Sequence, residues 1–110
     1  MNKLIFLSSP YSHPDKRVVE LRCLETTKYV AEQVSIGNTM FSPIIYGHEL
    51  LKHKDMPSDW EFWKNFCVSF MSRCSEVWVL QLDGWEESNG VKSEIEIAKE
   101  LNIPVKYVKY

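Results

Sequence analysis

The stretch EVWVLQLDGWEESNGVKSEIEIAKELNIPVKYV, residues 76–108, decides the fold. It opens on an apolar run, EVWVLQL, of strand length and rich in β-branched and aromatic residues. A polar loop follows, and Ser88 opens a helix in which Val91, Glu94, Ile95 and Ala98 recur at i, i+3, i+4 and i+7. After Pro104 a second short apolar run, within IPVKYV, reads as another strand. Two strands separated by a helix imply a parallel pair with a right-handed crossover. One residue conflicts with its surroundings: Glu94 falls on the inward face of the helix. Lys92, Glu96 and Lys99 project elsewhere, and Lys92 and Glu96, four apart, can pair across solvent. A carboxylate was therefore available to the outside without using position 94.

Upstream the same alternation repeats. KLIFLSS, residues 3–9, is a continuous apolar run released into small polar residues, the pattern of a strand covered on both faces. His13-Pro14-Asp15 marks a helix start, with Pro suited to the first helical position and an acid to the first turn. Val19, Cys23, Val30 and Val34 carry an apolar face to a stop at Gly37. NTMFSP, residues 38–43, supplies a short strand, and the connection that follows has room for a turn or two of helix. From Trp60 a wide stripe of Trp60, Trp63, Phe66, Cys67, Phe70, Met71 and Cys74 predicts a long helix capped by Ser58 or Asp59. The order predicts one domain over residues 1–110: a three-layer α/β/α fold with a small parallel sheet of about four strands, flavodoxin- or Rossmann-like. Ligands in such sheets bind beyond the carboxyl ends of the strands, so the loops SSPYSH, SPIIYGH and DGWEESNG are expected to meet.

The 110 residues suffice for one core and no second domain. The 13 Lys and Arg are dispersed among 15 Asp and Glu, giving a net charge of -2. That balance argues against a nucleic-acid polymer or a membrane as partner and for a small ligand or a protein. The apolar run at residues 4–7 is too short for a signal-peptide core or a membrane span. Cys23, Cys67 and Cys74 are odd in number and form no C-x-x-C pair, which favours reduced thiols and a cytoplasmic setting. His13, His48 and His53 share no ligand spacing with one another or with a cysteine, so neither metal nor cofactor is expected.

Ser88-Asn89-Gly90 offers backbone N–H groups, a small hydroxyl and the positive end of a helix dipole, which together favour an anion. Ser88 reads equally as a plain N-cap, and the glycine patterns of nucleoside-triphosphate and dinucleotide sites are missing. Glu94, inward and near the first two turns, is expected to stay ionised under the dipole while losing water, which suits a nucleophile or an electrostatic stabiliser. The plainer alternative places it at the border of the apolar face, reaching solvent. A carboxylate nucleophile attacks an anomeric carbon and splits glycosidic cleavage into two easier steps. Tyr11, Tyr46 and Trp85 follow the strands, and flat rings suit a nucleobase; Trp63 and Phe66 read more as core. His48-Glu49 could contact a ligand, and the plainer reading is surface or helix detail.

The block Gly84-Trp85-x-x-Ser88-x-Gly90-x-x-x-Glu94, lying between VWVL and PVKYV, resembles the nucleoside 2-deoxyribosyltransferase superfamily, which includes deoxynucleoside 5′-monophosphate N-glycosidases. The loop SSPYS and the order of elements agree with it, so the resemblance spans nearly the whole chain. It implies Glu94 as nucleophile at C1′ of a 2-deoxyribose, with Ser88, Asn89 and Gly90 at the 5′ end of the substrate. Ser8, Ser9 and Tyr11 would line sugar and base, and Asp83 and Trp85 complete the implied binding set. A nucleoside or nucleotide is the implied partner, its base passed to another base or to water without a metal. A homodimer or higher homo-oligomer is implied too, with KYVKY a candidate for completing a partner's pocket. One position departs: Cys67 stands where members carry an aspartate that assists the sugar and the leaving base. A thiol is a poor substitute for a carboxylate, and Cys67 reads as packed core. Asp59, Glu61 and Asp83 are possible stand-ins that spacing does not choose among. Beside the enzyme stand a non-catalytic nucleotide-binding module and a structural interaction protein using exposed aromatics.

Overall fold

The computed structural model describes residues 3–110, so Met1 and Asn2 of the expected domain lie outside the described residues. The elements are β1 (Leu4–Ser8), α1 (Lys16–Ser35), β2 (Thr39–Phe41), α2 (Pro43–Leu51), α3 (Trp60–Met71), β3 (Glu76–Leu80), α4 (Asn89–Glu100) and β4 (Val105–Val108). A short 3-10 turn, Trp85–Glu87, precedes α4. The four strands pair in parallel in the order β2-β1-β3-β4. This is the expected α/β architecture with a four-stranded parallel sheet.

Alternation along the strands builds a core on each face. Phe6 stands in register with Phe41 and Val77, and it packs on Cys67 and Met71 of α3 and Ala98 of α4. One residue on, Leu7 faces the other way and packs with Tyr29 of α1, Leu80 and Leu82. Phe6, Leu7 and Val77 are fully buried, each contributing roughly 1.5–3 kcal/mol relative to exposure.

Three boundaries differ from those read in the sequence. Asp15 is the N-cap of α1, accepting from Arg17 N at 2.9 Å, so Pro14 precedes the helix instead of opening it. The buried row of α1 is Cys23, Thr26 and Tyr29, and Val34 is exposed. Thr26 takes that place because its hydroxyl is satisfied by Arg22 O at 2.8 Å and lies 3.4 Å from Ser9 Oγ, bringing α1 close to the loop after β1. Ser42 and Pro43 leave the second strand: Ser42 Oγ caps Ile45 N at 3.3 Å, Pro43 sits at the helix start, and α2 runs for nine residues.

Arg22 of α1 ties two sheet-edge loops together. Its Nη1 donates to Ser12 O at 2.8 Å and its Nη2 to Asp83 O at 3.3 Å. Gly84 stands beside it at φ +87°, a backbone conformation that strains any residue with a Cβ, and a side chain there would also push the tip of Arg22 aside.

Candidate functional site

Beyond the carboxyl ends of the strands lies a cavity of about 360 Å³, a size ordinary for a small-molecule site. Ser9 and Tyr11 enter it from the loop after β1, His48 from α2, Trp60 and Trp63 from α3, and Ser88, Asn89, Gly90 and Glu94 from the start of α4. The three loops expected to converge do so through these residues.

Glu94 is 5% exposed and accepts from Ser8 Oγ at 2.5 Å. None of the ion pairs among the described residues includes it. Burial raises its pKa to about 7, against the opposing pull of the Ser8 hydroxyl and the Cys67 thiol. Loss of water, the second half of what was expected at this position, outweighs the favourable groups around it. Position 94 is nevertheless neither open to bulk water nor locked to a cation, and it borders the cavity.

Cys67 is 4% exposed, inside the α3 core. Burial and then the charge of Glu94 push its thiol far above the ordinary cysteine range. It stays a protonated, weakly donating neighbour of Glu94 and does not replace a carboxylate.

A second polar group crosses the cavity wall. Tyr11 Oη lies 2.8 Å from His48 Nδ1, with the rings edge to face. His48 Nε2 lies 3.2 Å from the Glu20 carboxylate of α1. Burial, then Cys23 and Glu20, raise the pKa of Tyr11. The surface role read for His48 is corrected by this placement: Ile44, Gly47, His48 and Leu51 line the cavity at i, i+3, i+4 and i+7 of α2. That periodicity was the available signal, hidden because the segment read as a connection.

Of the anticipated residues, Ser9, Tyr11, Ser88, Asn89, Gly90 and Glu94 come together at the cavity. Ser8 is fully buried behind Glu94 and is not part of the lining. Asp83 and Trp85 lie elsewhere. Asp83 is exposed, its carbonyl held by Arg22, and Trp85 packs on Tyr107 of β4 at 5.7 Å between ring centroids. Ser88 Oγ accepts from Val91 N at 3.2 Å, so it caps α4 as well as lining the site. Asp59 reaches the cavity; Glu61 does not. Among the described residues no three His, Cys, Asp or Glu side chains gather to hold a metal, and no helix is long and apolar enough to cross a membrane.

The parallel four-stranded α/β fold is similar to that of a 2-deoxyribosyltransferase. Its solved structure, from the psychrotolerant bacterium Bacillus psychrosaccharolyticus, matches with a TM-score of 0.65 and 18% identity, over 96% of this chain and 72% of that one. That enzyme is described as a biocatalyst for synthesis of antiviral and antitumoral nucleosides, and the likeness to it is one of fold. By sequence the chain belongs to the family described as a domain of unknown function, DUF1937, whose model matches residues 3–109. Among curated proteins nothing matches.

Proposed function

We propose that the chain cleaves or transfers the N-glycosidic bond of a nucleoside or nucleotide through Glu94. One observation carries this reading: a buried carboxyl at the edge of an open cavity, oriented by Ser8 and free of any cation among the described residues. Ser8 holds Oε1 and so fixes the carboxyl at the edge of the cavity. The ionised form bonds to C1′ of the sugar, the C1′–N bond breaks toward the base, and water or a second base then displaces Glu94. With its pKa at about 7, a large share of the group is ionised at neutral pH, and it meets the sugar little hydrated. The indole faces of Trp60 and Trp63 suit a base, and the free N–H groups at the start of α4 suit the 5′ end of the sugar.

A binding module without turnover is the second reading, and the thiol at Cys67 favours it. Incubation of the purified protein with 2′-deoxynucleosides and their 5′-monophosphates separates the two. Release of free base, abolished by Glu94→Gln, supports the enzyme; saturable binding without release supports the module. A sugar adduct on Glu94, trapped with a fluorinated slow substrate and found by mass spectrometry, identifies the nucleophile. The same reading includes a homodimer or higher oligomer. Exposed Tyr46, Phe62 and Phe70 offer apolar area that association would bury, and sedimentation velocity measures the outcome.

A further inference from the structure

Glycosidic cleavage leaves one proton to be supplied: the departing base needs it, and Cys67 stands where a carboxyl would give it. Resting on the glycosyl reading of the site, we infer that Glu20, His48 and Tyr11 form a proton relay that protonates the leaving base. The relay joins three separate parts of the fold, with Tyr11 Oη 2.8 Å from His48 Nδ1 and His48 Nε2 3.2 Å from Glu20. Its inner members, Tyr11 and His48, line the same cavity as Glu94. Its outer member, the Glu20 side chain, is 68% exposed, so the relay connects the cavity to water.

The directions of the hydrogen bonds follow from the groups. An ionised carboxylate only accepts, so Glu20 keeps a proton on His48 Nε2 and turns Nδ1 toward the phenol. When Nδ1 also carries a proton, it donates to the Tyr11 oxygen and frees the phenolic hydrogen to face the cavity. In the first step a Glu94 oxygen bonds to C1′ and the C1′–N electron pair moves onto the base. The base takes the Tyr11 proton while Tyr11 takes the proton from Nδ1. Tyrosine ends unchanged and the imidazole ends neutral. Attack of water on the glycosyl ester returns a proton by the reverse path and frees the Glu94 carboxylate. Imidazole suits this cycle because one ring nitrogen can give a proton while the other stays hydrogen-bonded to a carboxylate. Tyr11 touches the base; His48 and Glu20 act through it as positioning and proton-supplying residues.

The test uses pairs of substrates that differ in their need for a proton. A 7-methylated guanine carries its positive charge in the nucleoside and so departs as a neutral base without a further proton, and 5-fluorouracil leaves more readily than uracil. Release of base is followed from 2′-deoxyguanosine against its 7-methyl derivative, and from 2′-deoxyuridine against its 5-fluoro derivative. Tyr11→Phe and His48→Gln are expected to slow the unactivated member of the accepted pair by about 10²-fold or more, and the activated member by less than about tenfold. Glu20→Gln is expected to show the same selectivity with a smaller loss, because the carboxylate is exposed. Near-normal turnover of the activated substrate also shows that each variant is folded. Equal slowing of both members, or slowing of neither, overturns the relay while Glu94→Gln still abolishes release. No release from any of the four by the unaltered protein overturns the glycosyl reading, and the relay with it.

Discussion

Glu94 holds its place at a cost in stability, and the sign of that cost fixes a prediction. At low pH the carboxyl is protonated in both the folded and the unfolded chain. Between the ordinary carboxylate value and about 7 the unfolded chain gives up its proton while the folded chain keeps it. Stability therefore falls as pH rises through that window and levels off above it, by on the order of 3 kcal/mol. Glu94→Gln removes the penalty, so the variant is expected to gain roughly 1–3 kcal/mol at pH 8 and little at pH 4. Urea midpoints at the two values check it; equal gains at both would show that the carboxyl carries no such penalty. The neighbouring Cys67→Ala is expected to lose roughly 1–2 kcal/mol of packing and to keep glycosidic activity within several-fold, since a thiol that stays protonated offers no base. Loss of activity by orders of magnitude in a variant that remains folded would place the sulfur in the chemistry. Glu94 was legible in the sequence because it broke an apolar pattern. Its titration was not, because desolvation depends on what β1 and α3 lay over it.

The helices and strands were legible wherever period and punctuation agreed, as in α3, β3 and α4. They were misread where two signals overlapped. Ser42-Pro43 both ends an apolar run and opens α2, so the strand took residues that belong to the helix, and the cavity face of α2 went unread in a connection allowed only a turn or two of helix. In α1 a buried threonine joins Cys23 and Tyr29 inside, since Thr26 finds Arg22 O and Ser9 within reach; Val30 packs at the edge of the core and Val34 is exposed. At the opposite end of the sheet Glu76 opens β3 with its carboxylate nearly enclosed. Trp78 Nε1 donates to it at 2.6 Å, and Lys3 and Lys106 lie at 3.2 and 3.5 Å. The indole hydrogen bond and then the Lys3 bond hold its pKa below the ordinary value in spite of burial. Its contribution is present above the unfolded carboxylate value and is lost as pH falls through the lower folded one. Glu76→Gln is expected to cost about 1–2 kcal/mol at pH 7 and progressively less as the solution is acidified below pH 4. Thermal melts across pH 3 to 7 measure this; a constant difference would assign the loss to shape instead of charge.

At the scale of the molecule the sequence declared the alternation of strand and helix, and hence a site at the carboxyl edge. It did not declare which side of each loop meets that site: Asp83 and Trp85 turn toward α1 and β4, and His48 turns in. The charges that result have a consequence for substrate choice. Among the described residues the cavity lining includes Asp59, Glu87 and Glu94 and no lysine or arginine, while Arg22 donates to backbone carbonyls behind the loops. A 5′-phosphate brings up to two negative charges into that field. Each carboxylate opposes each of those charges, most strongly before salt screening. The N-terminus of α4 returns only about 0.3–1 kcal/mol. Repulsion wins, and a 2′-deoxynucleoside is expected to bind about tenfold or more tightly than its 5′-monophosphate at low salt. Quenching of Trp60 and Trp63 fluorescence reads both affinities without requiring turnover. Added salt and Glu87→Gln should each narrow the gap, because each weakens the same field. A monophosphate that binds more tightly than the nucleoside, or a gap indifferent to both treatments, would show that the acidic wall does not select the substrate.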